Sequence, residues 1–169
     1  MRAASRYNLA LCQRQLGQPE DAKATLLQYR ERHPNDSRAA EIAYQLGDLM
    51  EAAGDKEGAH GEYQTALASR PSNALEMELL YRVGLNQENL GNTDAALKSY
   101  NRAVASPDKK NAFRLSALAR CAAIYESRKE LTRALTAYRD IAQNSKDSEL
   151  AAAAAGRASQ LETARGKKR

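Results

Sequence analysis

The residues best suited to bind a metal or to attack a substrate are two histidines, His33 and His60, and two cysteines, Cys12 and Cys121. A metal site on a helix needs ligands three or four residues apart, and no second histidine or cysteine stands at that distance from any of the four. The cysteines are far apart and form no CxxC pair, so they read as small apolar residues in helical patterns. Asp48 and Glu51 are spaced i, i+3, which on a helix places both carboxylates on one solvated face. No glycine-rich phosphate loop, GxSxG or HExxH is present. The chain is therefore expected to be non-catalytic, with no cofactor and no metal.

The elements that carry these residues are helical. Charged residues make up 28% of the 169 and hydrophobic residues 43%, enough to bury a core. Alanine and leucine are abundant and β-branched residues scarce, which argues for an all-α fold. The most apolar run, Leu150 to Ala155, is far shorter than a membrane span requires, so no membrane insertion is expected. The N-terminus, MRAASRYNLALC, has no apolar stretch of signal-peptide length, so the sequence as it stands reads as cytoplasmic. The net charge is +5, of which Arg165, Lys167, Lys168 and Arg169 supply four, leaving +1 for residues 1–164. No basic face with interleaved aromatics is evident, so no nucleic-acid partner is expected.

The dominant signal is an internal period of 37. Gly17, Gly54 and Gly91 follow it, as do Ala22, Ala59 and Ala96, and Tyr7, Tyr44 and Tyr81. Leu9, Leu46 and Val83 each precede a small residue, Ala10, Gly47 and Gly84. Pro34 and Pro71 close two units, and Pro107 closes the third one residue early. Each unit reads as two helices. The first ends at a glycine that permits the turn, and the second carries Ala, then an aromatic or Leu four residues on, then a small residue or Tyr three later. A fourth unit is degenerate, with Cys121-Ala122, Tyr125, Ala134, Tyr138 and Ile141 as landmarks, but Lys129 stands where the turn glycine should be.

These landmarks resemble the tetratricopeptide repeat, with its Leu-Gly and tyrosine in helix A and its Ala-x3-aromatic and proline in helix B. The stretch Pro34 to Gly47 is also similar to bacterial cell-envelope repeat proteins of the TolA-binding and outer-membrane-assembly lipoprotein type. If the chain is a fragment of such a protein, a periplasmic location follows. The resemblance implies a right-handed α-solenoid. Its units are placed at about 3–36, 37–72, 73–109 and 110–146, with a capping helix at 148–164 and a basic tail at 165–169.

By the same resemblance, the first helices line a concave groove. Its lining would include Tyr7, Tyr44 and Tyr81, with Glu41, Asp48, Glu51, Glu78, Leu85 and Glu88 around them. The tyrosines either face a ligand or pack between neighbouring helices. The carboxylates either attract a cation or are ordinary helix-surface charge. The lysine and asparagine with which tetratricopeptide co-chaperones hold a carboxylate are replaced here by Tyr with Leu or Asp, so that clamp is absent. The expected function is a protein–protein interaction scaffold taking a basic and apolar peptide or helix. The alternative is a structural module that self-associates through its solenoid ends.

Overall fold

A computed structural model describes the backbone from Ala3 to Gly166 and side chains from Arg6 to Ala164, so most of the basic tail lies outside the described residues. Among those residues there are nine helices and no strand: α1 Ala3–Gln15, α2 Pro19–Arg32, α3 Ala39–Ala52, α4 Lys56–Ala68, α5 Asn73–Asn89, α6 Thr93–Val104, α7 Ala112–Ser127, α8 Leu131–Asn144 and α9 Ser148–Gly166. None is long and apolar enough to cross a membrane. The chain divides into two compact units, Met1–Leu79 and Leu80–Arg169, with the division inside α5.

The turns inside the hairpins share one geometry. Gly17, Gly54 and Gly91 sit at φ +72°, +85° and +80°, and Lys129 adopts the same left-handed conformation at φ +61°. The N–H of each bonds back to the carbonyl of Arg14, Glu51, Glu88 or Glu126. The next residue's N–H bonds to Gln13, Met50, Gln87 or Tyr125. This paired closure satisfies the last carbonyls of the first helix. Lys129 makes both bonds without glycine's freedom, so the fourth turn has the right form at a conformational cost.

Small residues and tyrosines set the helix–helix distance. A Cβ on Gly47 would lie 2.5 Å from the Tyr63 ring, and one on Gly84 would collide with the Tyr100 ring. Both tyrosines are fully buried, their rings lying over the backbone of the preceding helix. In the first hairpin a smaller Leu26 takes that place, and Ala10 opposite keeps its methyl group, both buried at 1% exposure. In the fourth, Ala122 is buried and Tyr138 is only half-buried.

Each ring is also anchored at its hydroxyl. Tyr63 donates to Glu51 at 2.9 Å and Asp48 at 3.0 Å, Tyr100 to Glu88 at 2.8 Å, and Tyr138 to Glu126 at 3.2 Å. Burial and the adjacent Glu88 push the Tyr100 phenol well above its ordinary range, so it stays a donor. The acceptors lie in the last turn of the first helix, where the helix dipole disfavours a carboxylate, and the phenol donor offsets that penalty.

Two polar knots fix the connections. Asp36 accepts from the Arg38 backbone at 2.9 Å and its guanidinium at 3.0 Å, and also from the Tyr29 hydroxyl. These bonds, Arg38's first, hold its carboxyl far below the usual range. In the second unit the buried Arg114 forms a fork with Asp140, at 2.7 and 3.2 Å, and donates to the carbonyls of Val104 and Lys109. It thereby ties the α6–α7 connection to α8. Its hydrogen bonds also lower the Asp140 carboxyl. The Asp147 carboxylate accepts from the N–H of Glu149 and Leu150 at 2.9 and 3.1 Å, capping α9, whose Ala154, Ala158 and Leu161 are buried.

Gly47→Ala should cost about 1–3 kcal/mol by overpacking. Tyr63→Leu should relieve part of it, giving a coupling on the order of 1 kcal/mol in a double-mutant cycle by urea unfolding. Gly61→Ala, where a Cβ meets nothing, should stabilise by about 0.4–1 kcal/mol. Additive effects of Gly47→Ala and Tyr63→Leu would contradict the packing. Lys129→Gly should raise stability by about 1 kcal/mol, because it removes the left-handed strain.

Asp140→Asn should cost about 2–3 kcal/mol at pH 7, less than the loss of a fully buried partner because Asp140 is 28% exposed. A depressed carboxyl contributes stability above the unfolded value of about 4 and loses it as pH falls through its folded value. The gap between wild type and variant should therefore close in melts taken at progressively lower pH.

Candidate functional site

The expected groove residues fall in both units. In the first, Tyr7 on α1 is half-buried against the cluster of Ala10, Leu26, Ile42 and Leu46, with the Arg38 guanidinium 5.1 Å from its ring centre. Burial, and next the charge of Glu41, raise its phenol. That coupling places Glu41 near the Tyr7 ring. Glu41 Oε2 is buried and has no hydrogen-bond donor among the described residues. Tyr44 on α3 donates to Glu78 at 2.6 Å, and its ring centre lies 6.2 Å from that of Tyr63. Asp48 takes Arg14 at 3.4 Å as well as the Tyr63 hydroxyl, and Glu51 shares that hydroxyl.

In the second unit, Tyr81 packs 6.1 Å from both Tyr100 and Phe113. Leu85 is half-buried on the same helix. Glu88 accepts from Tyr100 and pairs with Arg120 at 3.7 Å. Arg120 lies against the phenols of Tyr81 and Tyr100 as well. In the fourth hairpin Glu126 pairs with Arg157 of α9. Three carboxylates of the first-helix faces, Asp48, Glu88 and Glu126, thus each hold an arginine from another helix of the same unit. Tyr7 holds a fourth arginine by its ring. A tyrosine face beside a carboxylate is a good guanidinium seat, because the ring quadrupole and the anion act together.

Sequence reasoning missed the two polar knots. Arg114 and Asp140 are 26 residues apart, and nothing in that spacing marks them as partners. It also missed how charge is distributed. Residues 1–79 carry nine Lys and Arg against twelve Asp and Glu, a net of −3, whereas residues 80–169 carry seventeen against nine, a net of +8. His33 stacks on Tyr29 with ring centres 4.7 Å apart, and Cys121 is buried with its thiol pushed up to about 12 by desolvation. Such a thiol is a poor nucleophile. Among the described residues no group of three or more His, Cys, Asp or Glu is placed to hold a metal ion.

No curated protein matches the chain in sequence. The tetratricopeptide repeat family model matches residues 4–36 and 78–108. Among solved structures, a tetratricopeptide repeat protein from Parabacteroides merdae aligns with a TM-score of 0.79 at 17% identity, covering 95% of this chain and 60% of that one. MamA from Desulfovibrio magneticus RS-1 aligns at 0.68 and 20% identity, covering 96% of each. YrrB, described as a tetratricopeptide repeat protein with an unusual peptide-binding site, aligns at 0.68 and 21%, covering 85% of this chain and 69% of that one. The chain thus carries tetratricopeptide repeats in sequence at residues 4–36 and 78–108, and its fold resembles that of tetratricopeptide repeat proteins along nearly all of its length.

Proposed function

We propose that the chain is a non-catalytic scaffold that binds a protein segment carrying arginine or lysine next to apolar residues, and that it receives the cation at the Tyr7–Glu41 corner of the first unit. Repeats of this family serve as protein-interaction modules. The observation that carries the finer reading is the buried Glu41 oxygen, which has no donor among the described residues, in a unit of net charge −3. A buried carboxylate oxygen left without a donor is costly, and a partner's guanidinium would supply the missing bonds. Tyr44 and the acids Asp48, Glu51 and Glu78 extend the same chemistry along α3 and α5. Asp48, Glu51 and Glu78 all have partners within the chain, so they act as an electrostatic background more than as direct ligands. Tyr81, Leu85 and Glu88 offer the corresponding face in the second unit, where Arg120 already lies against Glu88. An incoming segment must displace that arginine, as it must Arg38 at the Tyr7 ring, and what favours the first unit is the Glu41 oxygen, which has no donor among the described residues.

The test is a fluorescence-anisotropy titration of the full chain against a peptide array that varies Arg, Lys, Leu and Phe. Binders should contain Arg or Lys beside an apolar residue. Their affinity should fall as salt rises, since exposed charges are screened beyond about 8–10 Å. Glu41→Gln should weaken them by about tenfold, roughly 1.4 kcal/mol, and Tyr44→Ala should weaken them too, with circular dichroism unchanged. Selection of acidic peptides, or binding indifferent to Glu41→Gln, would overturn the assignment.

A further inference from the structure

The second unit contains a pocket of about 330 Å³ on the side formed by α6, α7 and α8. Val104, Leu118 and Ala137 give it apolar walls, Tyr125 and Thr136 stand beside them, and Arg133 lies with its guanidinium 5.5 Å from the Tyr125 ring centre. Asp140, also in the lining, is held by Arg114, and Arg133 bonds Glu130 at 2.7 Å. The pocket has a local cause in the repeat. Where the first and third hairpins carry Thr25 and Ser99, bonded to Gln13 and Gln87 at 2.8 and 3.0 Å, the fourth has Ala137 opposite Tyr125. The missing polar pair leaves apolar space.

The ground around it is basic. Residues 90–146 hold eleven Lys and Arg against five Asp and Glu, Arg133 adjoins Thr132 in the lining, and Lys129 stands three residues before Thr132 in the turn. The first unit presents the complementary shape and charge. Leu16, at the tip of the first hairpin, is 74% exposed, more than any other large hydrophobic side chain described. Glu20 and Asp21, both exposed, follow it in the first turn of α2.

We propose that a second copy of this chain docks there, with Leu16 entering the α6–α7–α8 pocket and Glu20 and Asp21 meeting Lys129 and Arg133. Knob and pocket are different surfaces, so the contact is heterologous. Each bound pair leaves one knob and one pocket open, and assembly continues past two copies unless a ring closes. The volume is at the lower end of the range for ligand pockets, which suits a single side chain. The charges supply orientation and speed of encounter more than affinity. The inference does not depend on the peptide reading, which uses the opposite charge and other residues.

Sedimentation velocity of the full chain tests it, in reducing buffer so that the exposed Cys12 cannot cross-link copies. The weight-average mass should rise at least about twofold from low-micromolar to high concentration at low salt, and the rise should shrink in high salt. Leu16→Asp and Thr136→Trp, both at exposed positions, should each hold the protein at single-chain mass with unchanged circular dichroism. Mixed together, the two variants should form a complex that stops at one copy of each, because one keeps the pocket and the other the knob. A wild type of single-chain mass at every concentration overturns the proposal. So does assembly that survives either substitution, or a mixture that stays monomeric while wild type assembles.

Discussion

The fold depends on one contact, made in each of the two middle hairpins: a buried tyrosine ring of the second helix lying on the bare Cα of a glycine in the first. Gly47 with Tyr63 and Gly84 with Tyr100 are the same contact one period apart. It sets the separation of the two helices, because neither the ring nor the backbone can yield. Glycine in a helix interior costs roughly 1 kcal/mol against alanine. That cost is offset by the burial of an aromatic ring, which removes a large apolar area from water. The hydroxyl then needs a partner, and the carboxylate twelve residues earlier provides it in three hairpins. Those same glutamates stand in the last turn before the left-handed turn residue. Packing, polar satisfaction and chain reversal are therefore one unit of structure, repeated.

That arrangement changes how the acidic face should be understood. Glu51 and Glu88 line the side expected to bind a ligand, yet each serves a tyrosine of its own hairpin. A carboxylate with two oxygens can hold a phenol on one side and a guanidinium on the other, and Glu88 does so with Tyr100 and Arg120. The internal arginines show which chemistry these seats accept. They also set a threshold, because an external cation must bind better than the residue it displaces. Glu41 lies outside this arrangement. It stands early in its helix, far from the turn, and its buried oxygen has no donor among the described residues.

The architecture was legible because it recurs. Glycines 37 residues apart marked the turns, and the Ala-x3-aromatic spacing marked the second helices, including the exchange by which Leu26 replaces a ring. Lys129 looked like a break in the fourth unit, but the same two backbone hydrogen bonds form there. The turn geometry is imposed by the helices on either side, and glycine only lowers its cost. The polar knots were not legible. Arg114 is buried by a partner and two carbonyls brought near only by the packed hairpins, so no local pattern encodes it.

Charge was misjudged for a different reason. Counting over residues 1–164 gave +1, which suggested a neutral body, whereas the division at Leu79 splits that total into −3 for residues 1–79 and +4 for residues 80–164. A sum over the chain hides a difference in sign between its two units, and the charge of the surface that is met governs encounter. The ring beside a carboxylate recurs on both sides of that division, as Tyr63 with Glu51 and as Tyr100 with Glu88. In the fourth hairpin, where Ala137 rather than a Ser or Thr lies opposite Tyr125, an apolar hollow opens beside Arg133. Repeats copied from one template start with equal surfaces. The differences at Leu16, Tyr125 and Ala137 are departures from the template, and such departures, unlike its shared core, can give one unit a partner that the other cannot bind.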